Sequence, residues 1–301
     1  MKKYQSLLMN NDTEIKKAVK KTLIWFDMFD YPLTLLEVAN YLPITAKIED
    51  VQTVLMDYPQ TYGFYHLPGR EKILVERQRR SNWADRKFKK ARRLARIFGV
   101  LPWLRLVAVT NLIGQSNLKD GGDIDLFIIT SPKRIWLTRL IMAGTLKVFN
   151  LRPSAKKHRD TYCLSFFVAE DRLNLSDLRL PNDTLFTHWV SGSVVLWQRP
   201  GVYDKLLAAN IWIRSQMPNW QPVEPTRRRP FIARQTKQVG SWLDTFENNT
   251  RIWQVKHFPK KLAELNNLDN RVVTKFDIIK LHSNDNRAEV QELFINRLKK
   301  V

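Results

Sequence analysis

Two aspartates one residue apart, at the mouth of an apolar run, are the side chains of this sequence best placed to do chemistry. In Asp123-Ile124-Asp125-Leu126-Phe127-Ile128-Ile129, the stretch from Leu126 to Ile129 has the length and β-branching of a buried strand. Strand side chains alternate faces, so positions i and i+2 point the same way and the two carboxylates stand side by side. Like charges that close raise each other's pKa unless a cation lies between them. A hard divalent cation, Mg²⁺ or Mn²⁺, suits such a pair, because it takes oxygen ligands and leaves coordination positions for substrate phosphates.

A second strand must hold this pair in place. Leu106 to Val109 is a short apolar run, and the residues between Asn111 and Gly122 are rich in Gly, Asn, Ser and Asp, which bend the chain. The whole from Val107 to Thr130 reads as strand, turn, strand.

This stretch resembles the signature of the DNA polymerase β-like nucleotidyltransferase superfamily. There a Gly-Ser pair closes the first strand, roughly a dozen residues follow, and Asp-x-Asp opens the second strand. Asp123-Ile124-Asp125 matches the acidic half. The glycine half departs from the pattern. Asn111-Leu112 stands where Gly-Ser is expected, and Gly114-Gln115-Ser116 lies nearer the acids. Asn111 tolerates a tight turn, whereas Leu112 offers no hydroxyl.

The resemblance implies a nucleotidyltransferase-like sheet, Mg²⁺ (or Mn²⁺) on Asp123 and Asp125, and an NTP substrate. Its phosphates would be met from Thr110, Asn111, Gly114 and Ser116. It also implies a third carboxylate from the next strand. Tyr162 to Val168 reads as that strand and contains no acid. Asp160, just before it, is chosen over Glu170 as the third catalytic carboxylate, which would activate the acceptor hydroxyl. The wider chain, from a helix over 14–27 to Trp212 and Pro218-Asn219, resembles uncharacterised bacterial nucleotidyltransferase-domain proteins.

Composition narrows the partners. The 301 residues are 44% hydrophobic and 11% aromatic, which argues for packed cores and against disorder. The formal net charge of +21 favours a polyanionic partner, RNA before DNA and nucleic acid before a membrane surface. Cys163 is the only cysteine, so no intramolecular disulfide forms, and a reducing cytoplasm is the expected setting. The first residues lack the apolar region of a secretion signal, and no run of about 18 apolar residues exists to span a membrane.

The flanking segments give an expected fold class of α+β: a small mixed nucleotidyltransferase-like sheet flanked by helices, between two other domains. Residues 1–76 read as a winged-helix-like domain. A helix over 14–27 ends before Pro32, a second begins at the Thr34–Glu37 capping box, and a third covers about 48–58. A hairpin is expected around Pro68-Gly69. The third helix carries Glu49, Asp50 and Asp57, a poor surface for phosphate, so this domain suits packing or protein contact.

Residues 77–100 form a basic connecting helix. Ala84, Phe88, Ala91, Ala95 and Phe98 make one apolar stripe, and Arg86, Lys87, Lys89, Lys90, Arg92 and Arg93 are expected on the rest. Arg86, Lys89, Lys90 and Arg93 are the candidate contacts to a nucleic-acid backbone, which position without specifying sequence. Residues 101–175 form the nucleotidyltransferase-like core. Within it, Lys133, Arg134 and Arg139 open a helix from Pro132, where cations near a helix N-terminus suit a triphosphate. Residues 176–301 are expected to be a helical C-terminal domain.

Three functions follow. The first is an enzyme that transfers an NMP from an NTP to an acceptor, with RNA favoured. The second is a catalytically degenerate fold that binds nucleic acid. The third is a protein-interaction module built on the winged helix.

Overall fold

The computed structural model describes residues 2–110, 117–154, 157–222, 229–236 and 240–300, with side chains from residue 12 onward. They fall into two compact units. One comprises residues 1–82, 211–223 and 288–301, and the other residues 83–210 and 224–287.

In the first unit, helix α1 (Lys2–Asp27) ends as expected before Pro32, although it begins well upstream of residue 14. Thr34 caps α2 (Leu35–Tyr41), and Glu37 returns a bond to the Thr34 N–H at 2.8 Å, completing the capping box. Helix α3 (Ile48–Leu55) follows. The hairpin then arrives earlier than expected. Strands β1 (Gln60–Thr61) and β2 (Phe64–Tyr65) pair around Tyr62 and Gly63, and Leu33 pairs with Tyr65. Tyr62 and Gly63 both take positive φ, 51° and 82°, the two-residue turn that matches strand twist. The apolar residues after Pro68-Gly69 are the start of helix α4 (Ile73–Phe98) instead of a strand. Ion pairs tie the unit together: Arg70 donates to the buried Asp27 at 2.6 Å and to Asp30 at 2.7 Å, and Arg77 to Glu37 at 2.7 Å.

The second unit is built on a seven-stranded mixed sheet. Its strands are β3 (Leu104–Val109), β4 (Ile124–Thr130), β5 (Tyr162–Ala169), β6 (Val194–Gln198), β7 (Phe231–Ile232), β8 (Val272–Thr274) and β9 (Ile278–Leu281). Their spatial order is β7-β6-β3-β4-β5-β9-β8. β4 runs antiparallel to β3 and parallel to β5, the crossover being made through α5 (Ile135–Val148).

Alternation along β4 sorts its two faces. Ile124, Leu126 and Ile128 join Ala84, Phe88 and Ala91 of α4 and Trp136 of α5 in one core cluster. Phe127 points the other way, to Phe166 at 5.2 Å and to Trp189 of α6 (Thr184–Ser191) at 5.7 Å. Asp125 shares the parity of Phe127, so it stands on the α6 face.

The segment after residue 176 differs from a separate helical domain. Four of the seven strands come from it. Ser191-Gly192-Ser193 ends α6 and lets Val194–Gln198 pair with β3. Two helices, α7 (Val202–Ala209) and α8 (Trp212–Gln216), follow β6. The buried Asn210 between them binds the Leu173 carbonyl at 2.7 Å and the Leu175 N–H at 2.9 Å. Helix α9 (Asp244–Lys256) packs on α5, and a short α10 (Lys260–Leu265) follows. Helix α11 (Arg287–Lys299) gives Phe294 and Arg297 to the first unit, where they meet Trp25 and Asp27. No helix among the described residues is long and apolar enough to cross a membrane.

Candidate metal centre

The expected carboxylate pair forms. Asp123, Asp125 and Cys163 each bring a ligand atom into a group whose members lie within 4.8 Å of one another, and all three residues are partly buried. Local alternation places the two aspartates together, and strand pairing adds the cysteine: Cys163 is the register partner of Asp125 across the parallel β4–β5 pair. Burial pushes the Cys163 thiol up to about 12, aided by the negative charges of Asp125 and Asp123 and by its hydrogen bond to Asp125.

Thr110 extends the same row. Its N–H donates to the Asp125 carbonyl at 3.3 Å, continuing the antiparallel β3–β4 ladder and setting its side chain on the Asp125 face. The Thr110 hydroxyl is buried and has no hydrogen-bond partner among the described residues. Asn111, Gly114 and Ser116, the other expected phosphate contacts, lie outside the described residues.

Asp160 is not part of this group. Its carboxylate accepts from Lys90 at 2.7 Å and pairs with Arg86 and Lys87 at 3.4 Å each. Burial would raise its pKa, but the Lys90 hydrogen bond and the charges of Lys87, Lys90 and Arg86 bring it below the ordinary carboxylate value. A carboxylate so held serves as a counter-ion to the basic residues of α4, apart from the Asp123–Asp125 pair.

The basic helix has a positioning task that its charge concealed. Lys87, expected on the solvent face, is fully buried; its Nζ donates to the carbonyls of Asp120, at 2.8 Å, and Gly122. It thus fastens the loop that delivers Asp123 and, through Asp160, the approach to β5 and Cys163. Arg86 donates to Asp120 at 2.6 Å. Of the four candidate nucleic-acid contacts, Arg86 and Lys90 are engaged in this way. Lys89 and Arg93 are exposed and make no ion pair among the described residues.

The cations at the start of α5 are also committed. Lys133 and Arg134 pair with Asp244 at 3.0 and 2.8 Å, and Arg139 is buried against Gln254 of α9. They anchor α9.

A cleft of about 210 Å³ opens beside Asp125, between α6 and the loop from β9 to α11. Trp189 and Phe186 form one wall; Lys280, His282 and Arg287 form the other. Its charges cancel: Arg287 pairs with Asp183 and Asp285 at 2.7 Å each, and Lys280 with Asp285 at 3.3 Å. Burial holds the His282 imidazole down at about 3, so it is neutral, and Ser165 lies 3.0 Å from its Nε2.

Compared with known proteins, the chain matches no family model, no curated protein and no solved structure.

Proposed function

We propose that the chain is a nucleotidyltransferase-like protein that transfers an NMP from an NTP to an acceptor, RNA being favoured, with a divalent cation on Asp123 and Asp125. The observation that carries this reading is the convergence of the two carboxylates on one face at the head of β4. The donor set suits a divalent cation: two partly exposed carboxylates supply oxygen ligands and leave positions for water and phosphate. Such an ion, held by Asp123 and Asp125, would supply Lewis-acid neutralisation of the charge that develops on the transferred phosphoryl group.

The remaining steps belong to the chain's own groups. Asp123 and Asp125 orient the phosphates relative to β4. The Thr110 hydroxyl, buried beside Asp125, is a donor for a phosphate oxygen. The charge-neutral cleft gives no net pull on a second polyanion, so it suits the uncharged part of a substrate. Lys89 and Arg93 supply the backbone contacts to an RNA acceptor.

A second reading, a binding module without chemistry, draws on Cys163. The resemblance implies a carboxylate from this strand, and a thiol stands on it instead. One experiment separates the two: NMP transfer from labelled ATP, CTP, GTP and UTP to total cellular RNA and protein. Transfer by the wild type that Asp125→Asn abolishes supports the enzyme. Silence of the wild type, together with salt-dependent RNA binding, supports the binding module.

A further inference from the structure

We infer that Cys163 is a third ligand at this centre, making it a mixed carboxylate–thiolate site selective for a borderline cation of the Zn²⁺ class over Mg²⁺. The inference rests on the reading that Asp123 and Asp125 hold a cation, and it specifies which one.

Three observations carry it. First, the Cys163 sulfur is not merely near the acids. Strand register fixes it opposite Asp125, and it falls within 4.8 Å of an oxygen of each carboxylate. Ligand atoms at about 2.0–2.3 Å from one tetrahedral ion stand roughly 3.3–3.8 Å apart, so rotamer adjustment of the partly exposed carboxylates by about 1 Å closes the shell. Second, the donor set is O, O and S. Mg²⁺ takes oxygen ligands at near-octahedral geometry, whereas thiolate sulfur selects Zn²⁺ and its neighbours. Three protein ligands with one open position is also the arrangement of reactive zinc sites. Third, the Thr110 hydroxyl, 1% exposed and without a partner among the described residues, sits in the same row beside Asp125. A buried hydroxyl left without a partner is costly unless something at the site accepts its hydrogen bond. A water or phosphate oxygen in the open position would do so.

The chemistry balances simply. The metal–sulfur bond forms as the S–H bond breaks, and the proton leaves to solvent. The incoming dication offsets the charge of the two carboxylates and of the thiolate it binds.

Because Cys163 is the only cysteine, any thiolate signal reports on it alone. The test is titration of the chelator-treated, full-length protein with Co²⁺, followed by displacement with Zn²⁺, read as sulfur-to-metal charge-transfer absorption. The expected result is one equivalent of absorbing Co²⁺, displaced by Zn²⁺ and absent in Cys163→Ser and in Asp125→Asn. Zn²⁺ affinity should fall at least about tenfold in Cys163→Ser. In Cys163→Asp, the charge-transfer band should vanish while thermal stabilisation by Mg²⁺ increases. If Mg²⁺ or Mn²⁺ stabilises the wild type through Asp123 and Asp125 but Co²⁺ gives no charge-transfer band, the thiolate ligand is refuted and the carboxylate site stands. If no cation has any effect, both are refuted.

Discussion

Cys163 faces Asp125 directly across the parallel β4–β5 pair, and its sulfur lies within 4.8 Å of an oxygen of each aspartate. The pairing joins two segments of chain nearly forty residues apart, and a third element keeps both in place. Lys87 of α4 holds the Gly122 carbonyl on one side and pairs with Asp160 at 3.4 Å on the other. The centre is therefore braced from the face of the sheet opposite to the one on which the acids stand.

Replacing Lys87 with Met should expose this bracing. The variant leaves the Asp120 and Gly122 carbonyls and part of the Asp160 charge without their buried partner, at a cost of about 2–3 kcal/mol. Urea unfolding should show a lower midpoint with an unchanged slope. An unaltered midpoint would mean that the ammonium contributes nothing to holding the loop.

The basic helix should respond in two distinct ways to charge reversal. Lys89→Glu with Arg93→Glu should flatten the log–log salt dependence of RNA binding, by about one unit per lost phosphate contact, and leave stability nearly unchanged. Arg86→Glu with Lys90→Glu should lower the melting temperature, because Asp120 and Asp160 lose their partners. A salt slope in Lys89→Glu with Arg93→Glu unchanged from that of the wild type would show that this face carries no nucleic acid.

Much of the centre could be read locally. The Asp-x-Asp pair follows from strand alternation alone, and the Thr34–Glu37 capping box from spacing alone. Cys163 could not be found that way, because its place depends on which strands pair and in which register. Lys87 was within reach: it lies three residues after Ala84 and four before Ala91, inside the apolar stripe, and its charge argued against burial. Strands β6, β8 and β9 are short runs whose burial depends on neighbours far away in sequence. The expected helical domain over 176–301 hides β6 because Ser191-Gly192-Ser193 is a short break between two apolar runs. The hairpin moved because Tyr62, a residue that rarely takes positive φ, does so here beside Gly63.

The wall of the cleft should make stability depend on acid. Burial would raise the Asp285 carboxyl, but the hydrogen bonds and charge of Arg287 and the charge of Lys280 bring it from 3.8 down to about 2. A carboxylate with a depressed folded pKa contributes stability that is complete above about pH 4 and lost as pH falls through about 2. Asp285→Asn should therefore cost about 1–2 kcal/mol at pH 7, after allowance for solvent screening, and little at pH 2. Equal losses at both pH values would show that the ion pairs are not the source.

The position of a bound cation tests the central claim most directly. A crystal structure of the protein with Mn²⁺ and a non-hydrolysable NTP, phased for the manganese anomalous signal, should place the ion between the Asp123 and Asp125 carboxylates. A β- or γ-phosphate oxygen should complete its coordination, within hydrogen-bond reach of the Thr110 hydroxyl. Manganese and triphosphate bound elsewhere, with Asp123 and Asp125 making no metal contact, would contradict a nucleotidyltransferase-like site at the head of β4.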